Sequence, residues 1–559
     1  MTKKILYKLP QKTQIILPLL VSGLFLIPFL MTKGAMYGDD LPFHLERMLT
    51  YESIFRSPVN FHYFYGVGQG INYFYPFLTY YPYYILYRLI DSFYIGWLLY
   101  LYLLNLVTYF IGYKCVKDLT NSSKSGHIFS ILYIFSGYRL TNIVTRFAVG
   151  EIIAMAFIPL AFYGFYHILK GDYKKWYWLS IGMTLIVYSH MLSVVITSII
   201  FAIIFLLVFW TSKEKLIRFA NFMVATLATI AMGAFQLFPM LEQVISNKLV
   251  FPGMKSLDDT TIEVKNIIVG SWDNDLSKYL FGTIVFLLII LLIVLLIFKK
   301  IKFNKEDAFI FLIVLVFIFS ESKLMHWNYI ENGLVNSIQF VWRLNTYITL
   351  FIIYLGSKYL VKVNLNRRAY IIMLMGIFII NGVSQYNFYR KKLVIEGPQP
   401  LVELSSRITL NDMLNSKHNT VDYTNASANE KTAEIDRENK ILHKVFREDT
   451  EEEVISNIDY HASYVTIALS NDTSISHSYE LPFYKYKGQI VKIDNQEATS
   501  LVSSHGSTTV AVPSGFHVIT VAYQYTILAK VSALLSILSV LLVIAYITYV
   551  SLHKFVSTQ

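Results

Sequence analysis

The stretch Gly38-Asp-Asp-Leu-Pro-Phe-His-Leu-Glu-Arg47 follows directly after the first long apolar run of the chain, residues 15–31. Such a run is long enough to cross roughly 30 Å of hydrocarbon, so it predicts a membrane helix that ends near this charged stretch. Acids placed just outside an apolar span neither anchor the span nor favour its insertion. We therefore interpret the stretch as part of a functional site at the end of a membrane helix.

The composition of the whole chain predicts a membrane protein. Of its 559 residues, 55% are hydrophobic and only 15% are charged, which is too apolar for an ordinary soluble protein. The formal net charge of +11 belongs to Lys and Arg clusters that punctuate the apolar runs. Nucleic-acid binding would instead need these residues gathered on one soluble surface with aromatic side chains between them. The single cysteine, Cys115, cannot form an intramolecular disulfide.

The apolar runs predict a polytopic α-helical membrane protein with about 12 transmembrane helices. We expect the first run, which follows a basic N-terminus, to be an uncleaved signal anchor. The predicted spans are residues 15–31, 96–116, 128–142, 152–169, 177–190, 191–210, 216–238, 279–298, 308–320, 338–360, 370–383 and 531–550.

A further apolar segment, residues 73–90, is excluded as a span by the placement of charge. If it does not cross, the basic clusters around Lys114, Lys170, Lys213, Lys299 and Lys362 all lie on the same side as the basic N-terminus, as the positive-inside rule requires. Both termini are then cytoplasmic, and the loop of residues 32–95 is extracytoplasmic. The Tyr and Pro content of segment 73–90 is typical of chain lying at the membrane interface.

The same topology makes the polar region of residues 389–525 an extracytoplasmic domain before the last helix. Strand-like alternation recurs in segments 463–469, 489–493, 508–512 and 516–522, with turn residues between them, and predicts a mainly β, sandwich-like domain. Its first half, residues 426–453, is more charged and has a helical or loop pattern. The predicted domains are therefore 1–388, a transmembrane region with the loop 32–95; 389–525; and 526–559, the final helix with a short cytoplasmic tail.

The opening stretch contains the first candidate site residues. Asp39 and Asp40 can be explained as a turn or helix N-cap, because Pro42 suits a first helical turn. However, His44 and Arg47 stand at i+4 and i+7 from Asp40, so a helix places carboxylate, imidazole and guanidinium on roughly one face. Such a face can hold a phosphate and also present a base.

Other ionisable or polar side chains fall at the predicted outer ends of later spans. Arg146 and Glu151 join the third and fourth spans, His190 joins the fifth and sixth, and Gln339 and Arg343 begin the tenth. Ionisable groups near membrane depth commonly line a polar cavity. The alternatives are a structural ion pair, an imidazole satisfied in the interior, and an arginine that reaches lipid headgroups. An arginine can equally bind a phosphate through two parallel hydrogen bonds.

Several well-known catalytic motifs are absent from the sequence. It contains no Walker loop, dinucleotide-binding glycine pattern, CxxC pair, HExxH motif or nucleophile elbow in a suitable setting. Nucleotide-driven chemistry and zinc chemistry are therefore not the leading hypotheses. A divalent cation stays open, with Asp39 and Asp40 as its first ligands if it binds.

These motifs, taken together and in this order, resemble bacterial membrane glycosyltransferases of the GT-C type in the YfhO-like group. The resemblance is carried by Asp40-Leu-Pro-Phe-His-Leu-Glu-Arg47, Gly66-Val-Gly-Gln-Gly70, Phe74-Tyr-Pro-Phe-Leu78, Arg146 with Glu151, Ser189-His190 and Gln339-Phe-Val-Trp-Arg343. The tail segments Tyr486-Lys-Gly-Gln-Ile-Val-Lys-Ile-Asp494 and Val512-Pro-Ser-Gly-Phe-His-Val518 resemble the extracytoplasmic β domain of that group. Val341 stands where the group's motif has proline.

The resemblance implies transfer of a sugar from a polyprenyl-phosphate-linked donor to a cell-surface polymer or glycolipid, on the outer face of a bacterial plasma membrane. It implies that Asp40 is the catalytic base, with a weaker claim for Asp39. A departing phosphate needs cations, for which Arg146 and Arg343 are the candidates and His44 and Arg47 are secondary. Glu151, His190 and Gln339 would complete the substrate site, and the aromatic segment 73–84 would suit a polyprenyl chain or sugar ring.

Two alternatives remain open at this point. A transporter or flippase of a lipid-linked saccharide would place its ionisable residues near the bilayer midplane rather than at the ends of the spans. A non-catalytic scaffold would use the β domain to bind wall polymer and would tolerate the loss of Asp40. Neither a nucleotide cofactor nor a nucleic-acid partner is expected, and the lipid bilayer is the immediate environment.

Overall fold

The computed structural model describes residues 11–31, 35–210, 213–253, 256–330, 333–336, 338–363, 367–396, 402–403, 422–427 and 430–557. The chain divides into two compact units and passes between them several times. The first unit comprises Met1–Leu41, Ile85–Ala225 and Met254–Ile408, and the second comprises Pro42–Tyr84, Thr226–Gly253 and Thr409–Gln559.

Helices dominate the described part of the chain. In order, the α-helices are Gln11–Leu30, Leu41–Leu49, Ile71–Phe74, Tyr81–Ile90, Phe93–Thr120, Ser123–Ile134, Gly137–Thr141, Val149–Leu169, Tyr177–Val187, Met191–Phe209, Lys215–Met232, Ala234–Ser246, Val264–Trp272, Gly282–Ile297, Lys305–Glu321, Gly333–Asn336, Asn345–Leu360, Arg367–Glu396, Ala433–Ile441 and Ile527–Ser557. A π-helix, Asn142–Arg146, precedes Val149–Leu169.

Seven helices among the described residues are long and apolar enough to cross a membrane. They are Phe93–Thr120, Val149–Leu169, Met191–Phe209, Lys215–Met232, Val341–Val363, Arg368–Lys392 and Ile527–His553, and Gln14–Leu30 and Gly282–Ile297 are shorter apolar helices. The prediction of a helical membrane protein is therefore confirmed, whereas the number of 12 spans is not.

Local breaks explain why several predicted spans are not single long helices. The predicted span 128–142 is divided between Ser123–Ile134, Gly137–Thr141 and the π-helix that follows. The predicted span 177–190 contains only the short helix Tyr177–Val187. The predicted span 216–238 is interrupted at Gly233. Apolar composition predicts burial or membrane contact, but it does not report these breaks in the backbone.

Capping residues define the ends of the first long helix after residue 90. Ser92 accepts a hydrogen bond from the amide of Ile95 at 3.3 Å and begins Phe93–Thr120. Asn121 ends that helix in the left-handed conformation, with φ +52°. Ser122 then caps the next helix by accepting from the amide of Ser125 at 3.2 Å. Hydroxyl caps and a left-handed asparagine are the usual solutions for such helix ends.

The predicted β-sheet domain before the last helix is confirmed. One five-stranded antiparallel sheet has the order Ser500–Val502, Ser507–Val512, His477–Tyr484, Val445–Arg447 and Glu452–Val454. The other has the order Ser456–Tyr460, Tyr464–Asn471, Gly515–Tyr523, Gln489–Ile493 and Gln496–Ala498. Residues of both sheets share one core, so the sheets form a sandwich.

The second unit takes more of the chain than the predicted domain 389–525. Val59, Phe61, Tyr73 and Phe74 lie in the core of the sandwich, and so does Leu249. The segments 42–84 and 226–253 therefore group with the strands, because their apolar side chains are buried in the same core. The sequence predicts three consecutive domains, whereas in the structure segments of the two units alternate along the chain. The helix Arg367–Glu396 also continues past the predicted boundary at residue 389.

Candidate functional site

The site in the first unit is built on a backbone contact between Asp39-Asp40 and the π-helix. The amide of Asp39 donates to the carbonyl of Thr145, and that of Asp40 donates to the carbonyl of Arg146, both at 2.9 Å. Gly38 permits this approach, because a Cβ there would lie 2.2 Å from Cβ of Phe147. The contact holds both acids beside Arg146.

The π-helix Asn142–Arg146 directs Arg146 toward Glu151. The wider turn ends at Phe147, which has φ +54°, and the helix Val149–Leu169 begins two residues later. Arg146 Nη1 donates to Asn142 Oδ1 at 2.6 Å and to Glu151 Oε2 at 2.7 Å. Single π-helical turns are rare and occur often at functional sites. Here the turn places Arg146, which precedes the helix Val149–Leu169, next to Glu151 in the first turn of that helix.

Glu151 is the buried anion at the centre of the cluster. Its exposed fraction is 2%. Oε1 accepts from the hydroxyl of Tyr138 at 2.7 Å, and Oε2 lies 3.8 Å from Nε of Arg343. Together with Arg146, these contacts hold two guanidinium groups against one carboxylate. A buried charge is tolerated only with such partners, so Glu151 fixes the positions of both arginines.

Arg343 is held by the motif in which it lies. Its Nη1 donates to Gln339 Oε1 at 2.8 Å and to the carbonyl of Ile338 at 2.9 Å. Its exposed fraction is 7%, and it points to other protein groups rather than away from the protein. The alternative of an arginine that reaches lipid headgroups does not fit this arrangement. The turn Val341–Leu344 forms with valine in the place of the proline of the resembled motif.

Three aromatic rings stack next to Arg343. Trp342 stacks on Phe340 with a centroid distance of 4.3 Å and on Tyr279 with a distance of 5.0 Å. The guanidinium of Arg343 lies over the Phe340 ring at 5.2 Å. Gln339 adopts the left-handed backbone conformation, with φ +63°. This turn comes directly before Phe340, the first ring of the stack, while the Gln339 side chain contacts Arg343. Aromatic surface beside a cation suits a ligand with an anionic group and an apolar or ring-shaped part.

The two acids have different surroundings, although both are exposed to solvent. Asp39 accepts from the hydroxyls of Tyr37 and Tyr279, one on each carboxylate oxygen and each at 3.3 Å. The side chain of Asp40 accepts no hydrogen bond from the described residues. Asp40 is therefore the carboxylate whose lone pairs remain available to a substrate.

Partial desolvation by the surrounding protein atoms raises the pKa of both acids above the ordinary value. For Asp40 this effect of burial outweighs Arg146 and Arg343, which lower the pKa, and the negative charges of Asp39 and Glu151 add to the rise. For Asp39, burial is opposed first by Lys392 and then by the two tyrosine hydroxyls. A carboxylate with a raised pKa is a better proton acceptor than an ordinary one.

His190 lies beside the start of the helix that carries Glu151. Its Nδ1 is 2.8 Å from Oγ of Ser193, and it precedes the helix Met191–Phe209. A Cβ on Gly150 would lie 3.1 Å from Cδ2 of the imidazole. The structure thus brings His190 to the same cluster, where it packs against the chain next to Glu151.

His44 and Arg47 are predicted from the sequence as secondary candidates for binding the phosphate, but both belong to the second unit and are buried there. Their exposed fractions are 5% and 2%. The guanidinium of Arg47 lies over the rings of Tyr51, Tyr75 and Tyr80 at 5.2 to 5.7 Å. Its Nη1 donates to the carbonyl of Pro76 at 3.3 Å. This environment is that of a structural arginine, and we do not place either residue in the candidate site.

The aromatic segment 73–84 is also partly structural. Tyr73 and Phe74 are each 4% exposed, and both lie in the core of the sandwich. The Phe74 ring stacks on Tyr423 at 4.4 Å. These two rings cannot take part in binding a polyprenyl chain or a sugar without leaving that core.

A complete set of protein metal ligands is not present among the described residues. No group of three or more His, Cys, Asp and Glu side chains with suitable geometry occurs among them. Asp39 and Asp40 could supply two oxygen ligands, and further ligands would have to come from water or substrate.

Several residues of the site were not predicted from the sequence, among them three around Asp39. Tyr37 and Tyr279 hold Asp39, and Lys392 lies over the Tyr37 ring at 4.6 Å. Tyrosines are too common in this sequence to stand out, and Lys392 lies more than 300 residues from Asp39 along the chain. Only the fold brings them together.

The chain matches one family model, described as a 6-pyruvoyl-tetrahydropterin synthase related domain of a membrane protein, over residues 71–389. That match covers Arg146, Glu151, His190, Gln339 and Arg343 but begins after Asp39 and Asp40. No curated protein and no solved structure matches the chain.

Proposed function

The chain belongs to the membrane protein family described as 6-pyruvoyl-tetrahydropterin synthase related, and for this member we propose the activity of a membrane glycosyltransferase. It would transfer a sugar from a polyprenyl-phosphate-linked donor to a cell-surface polymer or glycolipid, on the extracytoplasmic face of the membrane. The GT-C type and the YfhO-like group are part of this proposal and rest on the motif resemblance. The family description itself names no sugar chemistry.

The observation that carries the proposal is one carboxylate with free lone pairs beside two fixed guanidinium groups. Asp40 accepts no hydrogen bond from the described residues, and Arg146 and Arg343 are close enough to lower its pKa. Glycosyl transfer from a phosphate donor needs both halves of this arrangement. A base must take a proton from the acceptor, and cations must stabilise the phosphate that leaves.

In the proposed reaction, the acceptor hydroxyl gives its proton to a carboxylate oxygen of Asp40. The hydroxyl oxygen forms a bond to the anomeric carbon, and the bond between that carbon and the donor phosphate oxygen breaks. The phosphate leaves with the electron pair of that bond. Arg146 and Arg343 stabilise the additional negative charge through charge-assisted hydrogen bonds.

The other residues position this machinery. Glu151 keeps both arginines in place and limits their net positive charge, while Gln339 orients Arg343. Asp39, held by Tyr37 and Tyr279, maintains a negative charge next to Asp40. The stack of Tyr279, Trp342 and Phe340 offers an aromatic surface for the sugar ring or the first isoprene units.

The donor class is tested with purified protein in liposomes that contain either a synthetic polyprenyl-phosphate sugar or a nucleotide sugar. We expect transfer only from the lipid-linked donor. Arg343→Lys keeps the charge but loses the planar guanidinium, and we expect kcat to fall by about 10²-fold, as for the loss of other transition-state donors.

Lys323→Gln is the matched control for Arg343→Lys. Lys323 belongs to the same unit, its side chain has an exposed fraction of 60%, and among the described residues its ammonium pairs with Glu263 at 3.4 Å. Its substitution should leave kcat unchanged, because exposed pairs contribute little. Transfer from the nucleotide sugar, or equal rates for both variants, would contradict the proposal. Movement of labelled lipid between leaflets without transfer would support a flippase instead.

A further inference from the structure

The second unit contains a cavity that plays no part in the proposed reaction. Its volume is about 460 Å³, within the roughly 300 to 1,000 Å³ typical of small-molecule sites. It lies where the helix Ala433–Ile441 meets the strands Val445–Arg447 and His477–Tyr484 and the turn around His505. All of its lining residues belong to the β-sandwich region of the chain.

Buried charged side chains line this cavity. Lys440, Glu480 and Asp436 have exposed fractions of 3%, 8% and 9%. Burial of ionised groups is costly, and apolar residues would fill such a position at lower cost if packing were its only role. A second cavity of about 280 Å³ shares Asp436, Lys440 and His505 with the first. The charged groups thus stand between two open volumes.

Lys440 and His505, which line the cavity, keep hydrogen-bonding capacity beyond their hydrogen bonds to the described residues. The ammonium of Lys440 donates to the carbonyls of His505 at 2.7 Å and Asp436 at 3.3 Å. An ammonium carries three donors, so one remains beyond these two hydrogen bonds. The ammonium also lies 5.3 Å from the centroid of the Tyr484 ring. Nδ1 of His505 lies 2.8 Å from Oε2 of Glu480, which fixes the imidazole. Its other nitrogen forms no hydrogen bond to the described residues.

The charges of the lining disfavour an anionic ligand. Three cations, Lys440, Lys444 and Arg447, face four carboxylates. Lys444 pairs with Glu453 at 3.2 Å, and Arg447 pairs with Asp449 at 2.9 Å. Two of the three cations are therefore already paired, and the four carboxylates of the lining outnumber the cations, so a polyphosphate would meet an excess of negative charge.

The remaining lining residues suit a ligand with many hydroxyl groups. Thr432, Asn439 and Ser504 add uncharged donors and acceptors. Phe446, which is half-buried, and Pro482 supply a small apolar surface. A pyranose ring has hydroxyl groups at its edge and C–H groups on its faces. Hydrogen-bond donors and acceptors around an apolar patch are complementary to such a ring.

We propose that this cavity binds a neutral, polyhydroxylated saccharide. If the proposed function is right, the saccharide belongs to the acceptor polymer. Only this identification of the ligand's source rests on the proposed function. The binding itself requires no sugar transfer.

The test is isothermal titration of the full-length protein in lipid nanodiscs with N-acetylglucosamine tetramer, and separately with poly(glycerol phosphate). We expect the neutral tetramer to bind and the polyanion not to bind. Asn439→Ala and Lys440→Met each remove a hydrogen-bonding group, and we expect binding to weaken by about 10-fold or more. Asn439 lies on the half-buried surface of a helix, so its variant should fold normally.

Asp459→Asn is the matched control. Asp459 belongs to the strand Ser456–Tyr460 of the other sheet, and its side chain has an exposed fraction of 73%. Its substitution should leave binding unchanged. Three results would overturn the proposal: no binding of the tetramer to protein with normal thermal unfolding, binding of the polyanion instead, or equal binding by Asn439→Ala and the wild type. Tetramer binding without any sugar transfer would contradict only the proposed function.

Discussion

At the scale of single residues, two adjacent acids look equivalent in the sequence but have different hydrogen-bond partners in the structure. Asp39 is held on both carboxylate oxygens by tyrosine hydroxyls, whereas Asp40 accepts no hydrogen bond from the described residues. A base must have a free lone pair directed at its proton donor. Under the proposed function, this difference favours Asp40 as the base and an electrostatic role for Asp39.

This division of roles predicts a pH effect of Asp39→Asn. The negative charge of Asp39 raises the pKa of Asp40, so its removal should lower that pKa. The base acts when it is ionised, which is above its pKa. The acidic limb of the kcat/KM profile for sugar transfer should therefore move to lower pH in Asp39→Asn, while the maximal rate changes less than in Asp40→Asn.

Lys392→Met is the comparison for this prediction. Lys392 lowers the pKa of Asp39 but is not among the main influences on Asp40, so its loss should leave the acidic limb near the wild-type position. A limb that stays in place in Asp39→Asn, or moves to higher pH, would show that the titrating group is not Asp40.

At the scale of secondary structure, the site depends on the contact between the turn at Gly38 and the π-helix Asn142–Arg146. Two backbone hydrogen bonds join Asp39 and Asp40 to Thr145 and Arg146. The site is thus held by backbone as well as by side chains, and Gly38 is needed because the chains approach too closely for a Cβ.

Gly38→Ala should disrupt this contact. The new Cβ would lie 2.2 Å from Cβ of Phe147, and one chain would have to move away. We expect a loss of about 1 to 3 kcal/mol in the free energy of unfolding, as for other overpacked positions. We expect a larger proportional loss of transfer activity, because the base and the arginines would separate. Thermal unfolding and kcat/KM measure the two effects.

Gly23→Ala is the control for this substitution. Gly23 lies in the helix Gln11–Leu30, and a Cβ there would have nothing within 4 Å. Alanine is the better helix former, so stability should be unchanged or slightly higher. Similar effects of the two substitutions would argue that the Gly38 contact does not organise the site.

At the scale of the whole molecule, much of the architecture could be predicted from the sequence. The membrane class follows from composition, and the strands before the last helix follow from alternation in segments such as 463–469 and 516–522. Ionisable or polar groups at the ends of apolar runs are unusual, and this distinguishes Arg146, Glu151, His190, Gln339 and Arg343 in the sequence. The structure brings Arg146, Glu151, Gln339 and Arg343 into one cluster.

The remaining features of the fold and the site depend on long-range contacts, which no local sequence pattern predicts. His44 and Arg47 have the same type of sequence signal as Arg146, yet they are buried among aromatic rings in the second unit. The interleaving of the two units arises because segments such as 42–84 contribute apolar residues to a distant core. Periodicity predicts which face of an element is buried, but it does not identify the partner.

The most direct test of the central claim is single-turnover sugar transfer from a polyprenyl-phosphate donor by wild type, Asp40→Asn and Asp39→Asn in liposomes. We predict that Asp40→Asn loses at least about 10²-fold in rate with an unchanged unfolding temperature, while Asp39→Asn retains clear activity. Transfer by Asp40→Asn at the wild-type rate would contradict the assignment of Asp40 as the base. No transfer by wild type from any lipid-linked donor would contradict the proposed function.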